Sequence, residues 1–250
     1  MSTARIFGRS VIRSMPILKT LAPVRYRAST LGWWYWCAEQ SRHLCLGLVP
    51  ETEPCDATEG GTICHKVLEE SMGRRFPWED DFLRDLEKFQ DPDLGFVRII
   101  EGSKIYYNLT GHQDDLQITP DRTVSIVENK FVLNPNLSFI QRYKFCMAEF
   151  QTQIYAWIFD PIVQQLGGVM NRVHAVCFWD MNTFKHIHTF QVVYQPAQTE
   201  ENILRCIKAF ENPELILKFP PREWKCKYCP PEHRELCIFR RKENEKSKQT

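Results

Sequence analysis

The chain has 250 residues, a net charge of +1, 43% hydrophobic residues and 25% charged residues. This length and balance are those of one globular domain with a sizeable core, and no apolar run approaches the roughly 20 residues that a membrane-spanning helix needs. The first residues also lack a compact apolar stretch followed by a small-residue cleavage site, so we expect a cytoplasmic protein without a membrane partner.

Basic residues concentrate toward the two ends of the chain. Residues 1–28 contain six arginines and lysines and no acid, and residues 241–250 form a charged tail. Such segments either bind phosphate groups or remain as solvated arms. We therefore expect residues 29–240 to form a single domain, flanked by the tail and by a basic N-terminal arm whose composition allows it to be disordered.

Helical and strand patterns alternate along the domain. Helices are predicted in five segments: 29–46, 61–72, 76–95, 145–159 and 197–211. Residues 47–60 contain several prolines and glycines and predict a loop. Strands are predicted in three pairs: FVRII with KIYYNL, residues 111–118 with VSIVENKFV, and VHAVCFW with HIHTFQVVY. This order predicts an α/β domain with a mixed central sheet flanked by helices.

Two carboxylates and a lysine fall on neighbouring predicted strands. Asp114 lies in TGHQDDL, and Glu128 and Lys130 lie in VENK after an intervening TPDR turn. Because side chains alternate between the faces of a strand, Glu128 and Lys130 point the same way, and Asp114 can reach the same place. Carboxylates bind Mg²⁺ or Mn²⁺, and a lysine stabilises charge that develops on a phosphate. The set suits phosphodiester hydrolysis, and the alternative is a surface salt bridge on a hairpin.

Two predicted helices carry further polar candidates. His65 follows a Gly-Gly pair in GGTICHKVLEE, and its imidazole could complete a metal site with the carboxylates, which favours Mn²⁺. Gln151 and Tyr155 are four residues apart, share a helix face, and could orient Lys130, a water or a DNA backbone. The alternatives are a structural histidine and a hydrogen-bonded tyrosine in a packed helix.

Three cysteines lie close together in CKYCPPEHRELC: Cys226, Cys229 and Cys237. A C-x-x-C step can bring two thiolates to one metal or cluster, and the fourth ligand must come from far away in the sequence. Cys37 in the aromatic N-terminal helix is our choice, with Cys45 in reserve. Four thiolates suit zinc or an iron–sulfur cluster equally, and His233 could instead give a Cys₃His zinc site. Any of these would join the two ends of the domain.

The motifs follow one another in a recognisable order over residues 29–240. An N-terminal cysteine is followed by Gly…His, Gly-x-x-Asp, Glu-x-Lys, Gln-x-x-x-Tyr and three C-terminal cysteines. This order resembles that of the RecB-type branch of the PD-(D/E)XK nuclease superfamily, and within it the CRISPR-associated exonuclease Cas-four family. The resemblance implies a restriction-endonuclease-like core, together with an iron–sulfur lobe formed by the N- and C-terminal segments.

The resemblance also implies roles for individual residues. His65, Asp114, Glu128 and the backbone carbonyl of Asn129 would bind Mn²⁺ or Mg²⁺. Lys130 would be the catalytic lysine, supported by Gln151 and Tyr155. A [4Fe–4S] cluster, rather than zinc, would be held by four cysteines: Cys37, Cys226, Cys229 and Cys237.

The sequence therefore leaves two hypotheses about function. The first is a metal-dependent DNA exonuclease that acts on single strands or overhangs, in DNA end processing or in spacer acquisition with CRISPR integrase proteins as partners. The second is a non-catalytic nucleic-acid-binding module with a structural zinc site. The complete set of histidine, two acids and lysine favours the first, because a binding module has no need to gather carboxylates against phosphate.

Overall fold

The computed structural model describes residues 24–49, 56–71, 76–102 and 106–240. The tail and most of the basic arm lie outside these ranges. The described strands are β1 (Val24–Arg27), β2 (Phe96–Glu101), β3 (Tyr106–Gly111), β4 (Asp115–Ile118), β5 (Thr123–Val132), β6 (Val169–Met170), β7 (Val173–Asp180) and β8 (His186–Val193). The described α-helices are α1 (Ala28–Gly32), α2 (Ala38–Cys45), α3 (Asp56–Ser71), α4 (Pro77–Glu87), α5 (Leu137–Phe139), α6 (Phe145–Gln165), α7 (Pro196–Glu211), α8 (Glu223–Lys227) and α9 (Pro231–Leu236).

The strands form two mixed sheets flanked by helices, so the α/β class is confirmed and the prediction of one central sheet is wrong. The smaller sheet has the order β1-β3-β2, with β1 parallel and β2 antiparallel to β3. The larger has the order β4-β5-β7-β8, with β6 beside the start of β5. The sheets separate between β3 and β4, where the chain leaves the first sheet after Gly111 and pairs again only from Asp115.

The predicted helix at residues 29–46 is divided into three pieces. A 3₁₀ turn at Trp33–Tyr35 lies between α1 and α2, and Cys37 has an extended backbone with φ −156° and ψ 115°. An extended residue cannot continue a helix, so α2 begins directly after Cys37. The predicted loop at residues 47–60 is also too long, because α3 already begins at Asp56 and carries Gly60 in its interior. A Cβ at Gly60 would lie 3.1 Å from Met181 Sδ, so this glycine allows Met181 to approach the helix closely.

Helix α6 is the central element of the core. It is longer than the predicted helix at residues 145–159, and its buried side chains lie on most of its circumference. Helix α6 contacts strands of both sheets, which explains why it does not show one simple apolar face. It also connects β5 to β7, which run parallel to each other in the larger sheet.

The N-terminal and C-terminal parts of the described chain meet through a buried polar network. Nδ1 of His43 lies 3.0 Å from Nδ1 of His233, and the two rings stack. Nε2 of His43 lies 3.1 Å from a carboxylate oxygen of Glu39. Burial alone would raise the pKa of Glu39, but hydrogen bonds from His43 and Arg42 bring that pKa down to about 2. Helices α2 and α9 are thus held together by an ionised carboxylate and a histidine pair.

No helix in the described ranges is both long enough and apolar enough to cross a membrane.

Candidate active site and cysteine cavity

The predicted acid–lysine set comes together on β5 and the residue before β4. Lys130 Nζ donates a hydrogen bond to Glu128 Oε1 within β5. Asp114 Oδ2 accepts a hydrogen bond of 2.7 Å from the backbone N–H of Asn129. The antiparallel pairing of β4 with β5 fixes this approach, because Asp115 is the partner of Val127 in the ladder. Alternation along β5 then places Glu128 and Lys130 on one face, as the sequence predicts.

Helix α6 contributes the two supporting residues. Gln151 Nε2 lies 2.9 Å from Glu128 Oε1 and 2.7 Å from the hydroxyl of Tyr155. The ring of Tyr155 packs so closely on Gly111 that a Cβ there would overlap its ring carbons. Gln151 and Tyr155 share a helix face at this spacing, and both are buried against the sheet.

Burial and neighbouring charges act on the ionisable groups of the site in opposite directions. It raises the pKa of Glu128 to about 7, opposed by the charge of Lys130 and reinforced by that of Asp114. Burial would lower the pKa of Lys130, but Glu128 and Asp114 outweigh it and raise that pKa. Glu128 Oε2 is buried and has no hydrogen-bond partner among the described residues. A buried acceptor of this kind is costly unless it receives a donor or a cation.

His65 reaches the site from α3. Its Nδ1 lies 3.7 Å from Asp114 Oδ1, and both side chains are partly exposed. The ring of His65 meets the ring of Phe131 edge to face at 5.0 Å. His65 and Asp114 therefore form the open side of the site, and Glu128 forms its buried side.

The acids of the site can be compared with the needs of a divalent metal ion. Within the described ranges, no group of three or more His, Cys, Asp or Glu side chains is arranged to hold a metal ion. One oxygen of each acid already accepts from a protein donor: Asp114 Oδ2 from the Asn129 N–H, and Glu128 Oε1 from Lys130 and Gln151. The donor set still fits a hard divalent cation, because Glu128 Oε2 has no partner within the described ranges and His65 lies beside Asp114.

Sequence reasoning missed Trp179 as part of this site. The indole N–H of Trp179 donates a 2.9 Å hydrogen bond to Asn129 Oδ1, and its ring stacks on Phe131. Trp179 lies on β7, which runs parallel to β5 with Asn129 opposite Cys177. Pairing VHAVCFW with VENKF in parallel would have brought Trp179 to Asn129. The sequence predicts that β7 pairs with β8, its neighbour along the chain, so it does not predict the contact between Trp179 and Asn129.

The four cysteines assigned from the sequence line one cavity of about 680 Å³: Cys37, Cys226, Cys229 and Cys237. None of the four forms a disulfide with another described residue, and burial raises the pKa of Cys37 to about 11. Gln40 Nε2 donates a 3.4 Å hydrogen bond to Cys229 Sγ across the cavity wall. Four thiols are the donor set of a tetrathiolate site, although no three cysteines within the described ranges are arranged to hold a metal ion.

The two reserve ligands lie elsewhere. The thiol of Cys45 points to the hydroxyl of Thr30 at 3.4 Å, and Cys45 is part of the main hydrophobic core. His233 is buried against His43 instead of facing the thiols. Neither Cys45 nor His233 is among the described residues that line the cysteine cavity.

Comparison with known proteins places no family name on the chain. No family model matches it, and no curated protein matches it. Two solved structures are similar over most of its length. SSO0001 has 14% identity and a TM-score of 0.48, covering 92% of this chain and 89% of its own. A protein from Eubacterium rectale with a provisional description as an exonuclease has 14% identity and a TM-score of 0.41, covering 94% of this chain and 92% of its own.

Proposed function

We propose that this chain is a metal-dependent DNA nuclease that hydrolyses phosphodiester bonds in single strands or overhangs, as an exonuclease of the Cas-four type. The observation that carries the proposal is the surroundings of Glu128. A buried carboxylate lies beside a lysine, a second carboxylate and a histidine, and one of its oxygens has no partner in the part of the chain that the structure describes. A salt bridge with a purely structural role would need only Glu128 and Lys130. The presence of Asp114 and the lack of a described donor to Glu128 Oε2 therefore support a site that binds a cation.

Different residues of the site have different roles in the proposed reaction. His65, Asp114, Glu128 and the carbonyl of Asn129 would hold Mn²⁺ or Mg²⁺, which when bound polarises the scissile phosphate and acidifies a water. Lys130 stays protonated between two acids and can donate to a phosphate oxygen or to the attacking water.

Two buried residues keep these groups in place. Gln151 holds one oxygen of Glu128, and the other oxygen has no hydrogen-bond partner among the described residues. Tyr155 fixes Gln151 in turn. Such partners of a metal ligand orient it and typically matter for both affinity and rate.

The cysteine cavity supports a [4Fe–4S] cluster as a second, structural part of the proposal. Burial raises the pKa of the thiols of Cys37 and Cys229, and a bound cluster would convert these groups to ligated thiolates. The cluster would join α2 to the C-terminal segment and contribute its binding free energy to folding. Visible absorbance and iron and sulfide content of protein purified without oxygen test this assignment, and a colourless zinc-loaded protein would contradict it.

Cleavage of a labelled single strand in Mg²⁺ or Mn²⁺ tests the activity. Lys130→Ala should lower the rate by roughly 10²–10³-fold, as expected for a group that stabilises charge in the transition state. Lys185→Ala, which removes an exposed lysine from the turn between β7 and β8, is the matched control. Equal cleavage by Lys130→Ala would refute the site. DNA binding without cleavage by the unaltered chain would instead indicate the non-catalytic nucleic-acid-binding module.

A nuclease of this kind would act in DNA end processing or, with CRISPR integrase proteins as partners, in spacer acquisition.

A further inference from the structure

A group of aromatic and basic side chains joins the candidate active site to the cysteine cavity. We call it the aromatic–basic surface, and it consists of Trp36, Tyr143, Trp224, Tyr228, Arg142, Lys144 and Lys225. The four aromatic residues come from three separate segments of the chain. Apolar rings and cations alternate here instead of separating into a core and a charged rim.

The four rings form a continuous series centred on Trp224. Its ring centroid lies 5.3 Å from that of Trp36, 4.8 Å from that of Tyr143 and 6.3 Å from that of Tyr228. The interplanar angles of these contacts are 88°, 70° and 70°, so the rings meet edge to face and do not form a closed stack. Tyr228 is 74% exposed, which leaves a ring face open to solvent.

Cations lie over these rings. The Nζ atoms of Lys225 and Lys144 lie 4.7 Å and 5.8 Å from the centroid of Trp36, and the guanidinium of Arg142 lies 5.8 Å from that of Tyr143. Arg142, Tyr143 and Lys144 belong to a π-helical turn between α5 and α6. Such turns are uncommon and frequently occur at functional sites.

Lys144 links the surface to the candidate active site. It lines a cavity of about 300 Å³ together with Lys130 and Gln151. Among the described residues that line this cavity there are two lysines and no carboxylate. At the other end, Trp36 lines the cysteine cavity. A polyanion that lies across the rings therefore meets positive charge up to Lys130.

We propose that the aromatic–basic surface is a base-stacking site that holds the unpaired DNA strand as it enters the active site. The inference rests on the proposed function. Stacking on a protein ring requires an exposed base face, and in duplex DNA the neighbouring base pairs cover the faces of each base. Aromatic rings with cations beside them are the means by which proteins bind single strands without reading their sequence. The surface thus selects an unpaired strand, whichever bases it carries.

Binding measured without divalent metal tests this proposal separately from cleavage. The full chain is titrated into a fluorescent thymidine oligonucleotide, the same oligonucleotide with abasic sites, and a duplex of equal length. Tyr228→Ala should raise the dissociation constant for the single strand roughly ten-fold, as is typical for losing one stacking ring. Tyr228→Phe keeps the ring and should bind as the unaltered chain does. Tyr106→Ala is the matched control, because Tyr106 is an exposed tyrosine at the start of β3 in the smaller sheet.

Each outcome decides the proposal. The loss should be confined to the single strand with intact bases, so Tyr228→Ala should not weaken binding of the abasic strand or of the duplex. Equal weakening for single strand and duplex, or none for either, would overturn the stacking site.

Because Tyr228 adjoins Cys229, visible absorbance and thermal unfolding of the variant are recorded as a control for folding. Trp224→Phe provides a second variant, in which a ring of smaller area is retained. A strand that stacks but is never cleaved would refute the nuclease and leave the stacking site standing.

Discussion

Gln151 of α6 donates a hydrogen bond of 2.9 Å to Glu128 of β5, so a helix side chain sets the orientation of the most buried acid in the site. The same amide nitrogen contacts the hydroxyl of Tyr155 at 2.7 Å. These contacts make Glu128 the end of a chain of polar groups that begins in the core. Its orientation then depends on a residue that need not touch metal or DNA.

Replacing Gln151 by leucine should therefore impair catalysis while the fold persists. Loss of a partner that orients a metal ligand typically reduces metal affinity or activity by about 10–100-fold. We expect Gln151→Leu to shift the Mn²⁺ or Mg²⁺ concentration needed for half-maximal cleavage upward. Gln153→Leu is the control, because Gln153 lies two residues away and its amide reaches the carbonyl of Val193 instead. An unchanged metal dependence in Gln151→Leu would contradict the role.

Gly111 should not tolerate even one additional methyl group. A Cβ at this position would overlap the ring of Tyr155. Overpacking a tight core position typically costs about 1–3 kcal/mol of unfolding free energy. Gly111→Ala should also reduce cleavage, since Tyr155 must move away from Gln151.

Gly61→Ala is the matched control for Gly111→Ala. Its Cβ would meet Met181 Cε at 3.8 Å, an ordinary contact, within helix α3. We expect its stability to be equal to or up to about 1 kcal/mol above that of the unaltered chain, since alanine is the better helix former. Urea unfolding of both variants measures the difference. An equal free energy of unfolding for Gly111→Ala and the unaltered chain would show that the ring of Tyr155 can move without destabilising the fold.

Cys226→Ser should remove the proposed cluster. We expect loss of visible absorbance and bound iron, and a decrease of more than about 4 kcal/mol in unfolding free energy, as is typical when a bound metal is lost. Cleavage should fail as a consequence of unfolding. Cys177→Ser in β7 removes a free thiol that contacts the hydroxyl of Thr189 and does not line the cysteine cavity, so it should keep both colour and stability. A brown, stable Cys226→Ser protein would exclude Cys226 as a ligand.

His174 should make the fold sensitive to acid. Burial lowers its pKa to about 4, although the charge of Asp160 opposes the shift. The unfolded chain takes up this proton near pH 6.5, whereas the folded chain resists it until about pH 4. Stability should therefore be unaffected by this group above pH 6.5 and should fall by roughly 3 kcal/mol in all as the pH drops from 6.5 to 4.

An isosteric variant tests the contribution of His174. Its Nδ1 accepts a hydrogen bond of 3.2 Å from the backbone N–H of Ile126, and an asparagine oxygen can take that position without titrating. His174→Asn should flatten the dependence of unfolding free energy on pH between 6.5 and 4. His188→Asn, at an exposed position of β8, should leave that dependence unchanged. An equal slope for His174→Asn and the unaltered chain would show that other groups dominate acid unfolding.

The parts of the site that could be predicted from the sequence are those that depend on the periodicity of a single strand or helix. Alternation along β5 places Glu128 beside Lys130, and helical spacing places Gln151 beside Tyr155. Both relationships are set by the geometry of one element or one hairpin. Asp114 reaches them because the TPDR turn fixes the pairing of β4 with β5.

Relationships between distant segments could not be predicted in the same way. Val24 pairs in parallel with Tyr107, and Trp179 meets Asn129 across a parallel ladder. Parallel pairing leaves no turn in the sequence between the partners, so its register depends on packing between elements that are distant in the sequence. The assignment of the strands to two sheets depends on the same packing.

The contact of His43 with His233 has a consequence for how the chain is made. These rings are 190 residues apart, which at a synthesis rate of about 5–20 residues per second corresponds to about ten to forty seconds. During that interval α2 has already emerged from the ribosome while its partner in α9 does not yet exist. Nδ1 of His43 keeps its water until then, because burying it without His233 is costly. The buried polar network that joins α2 to α9 can therefore form only after His233 has been translated.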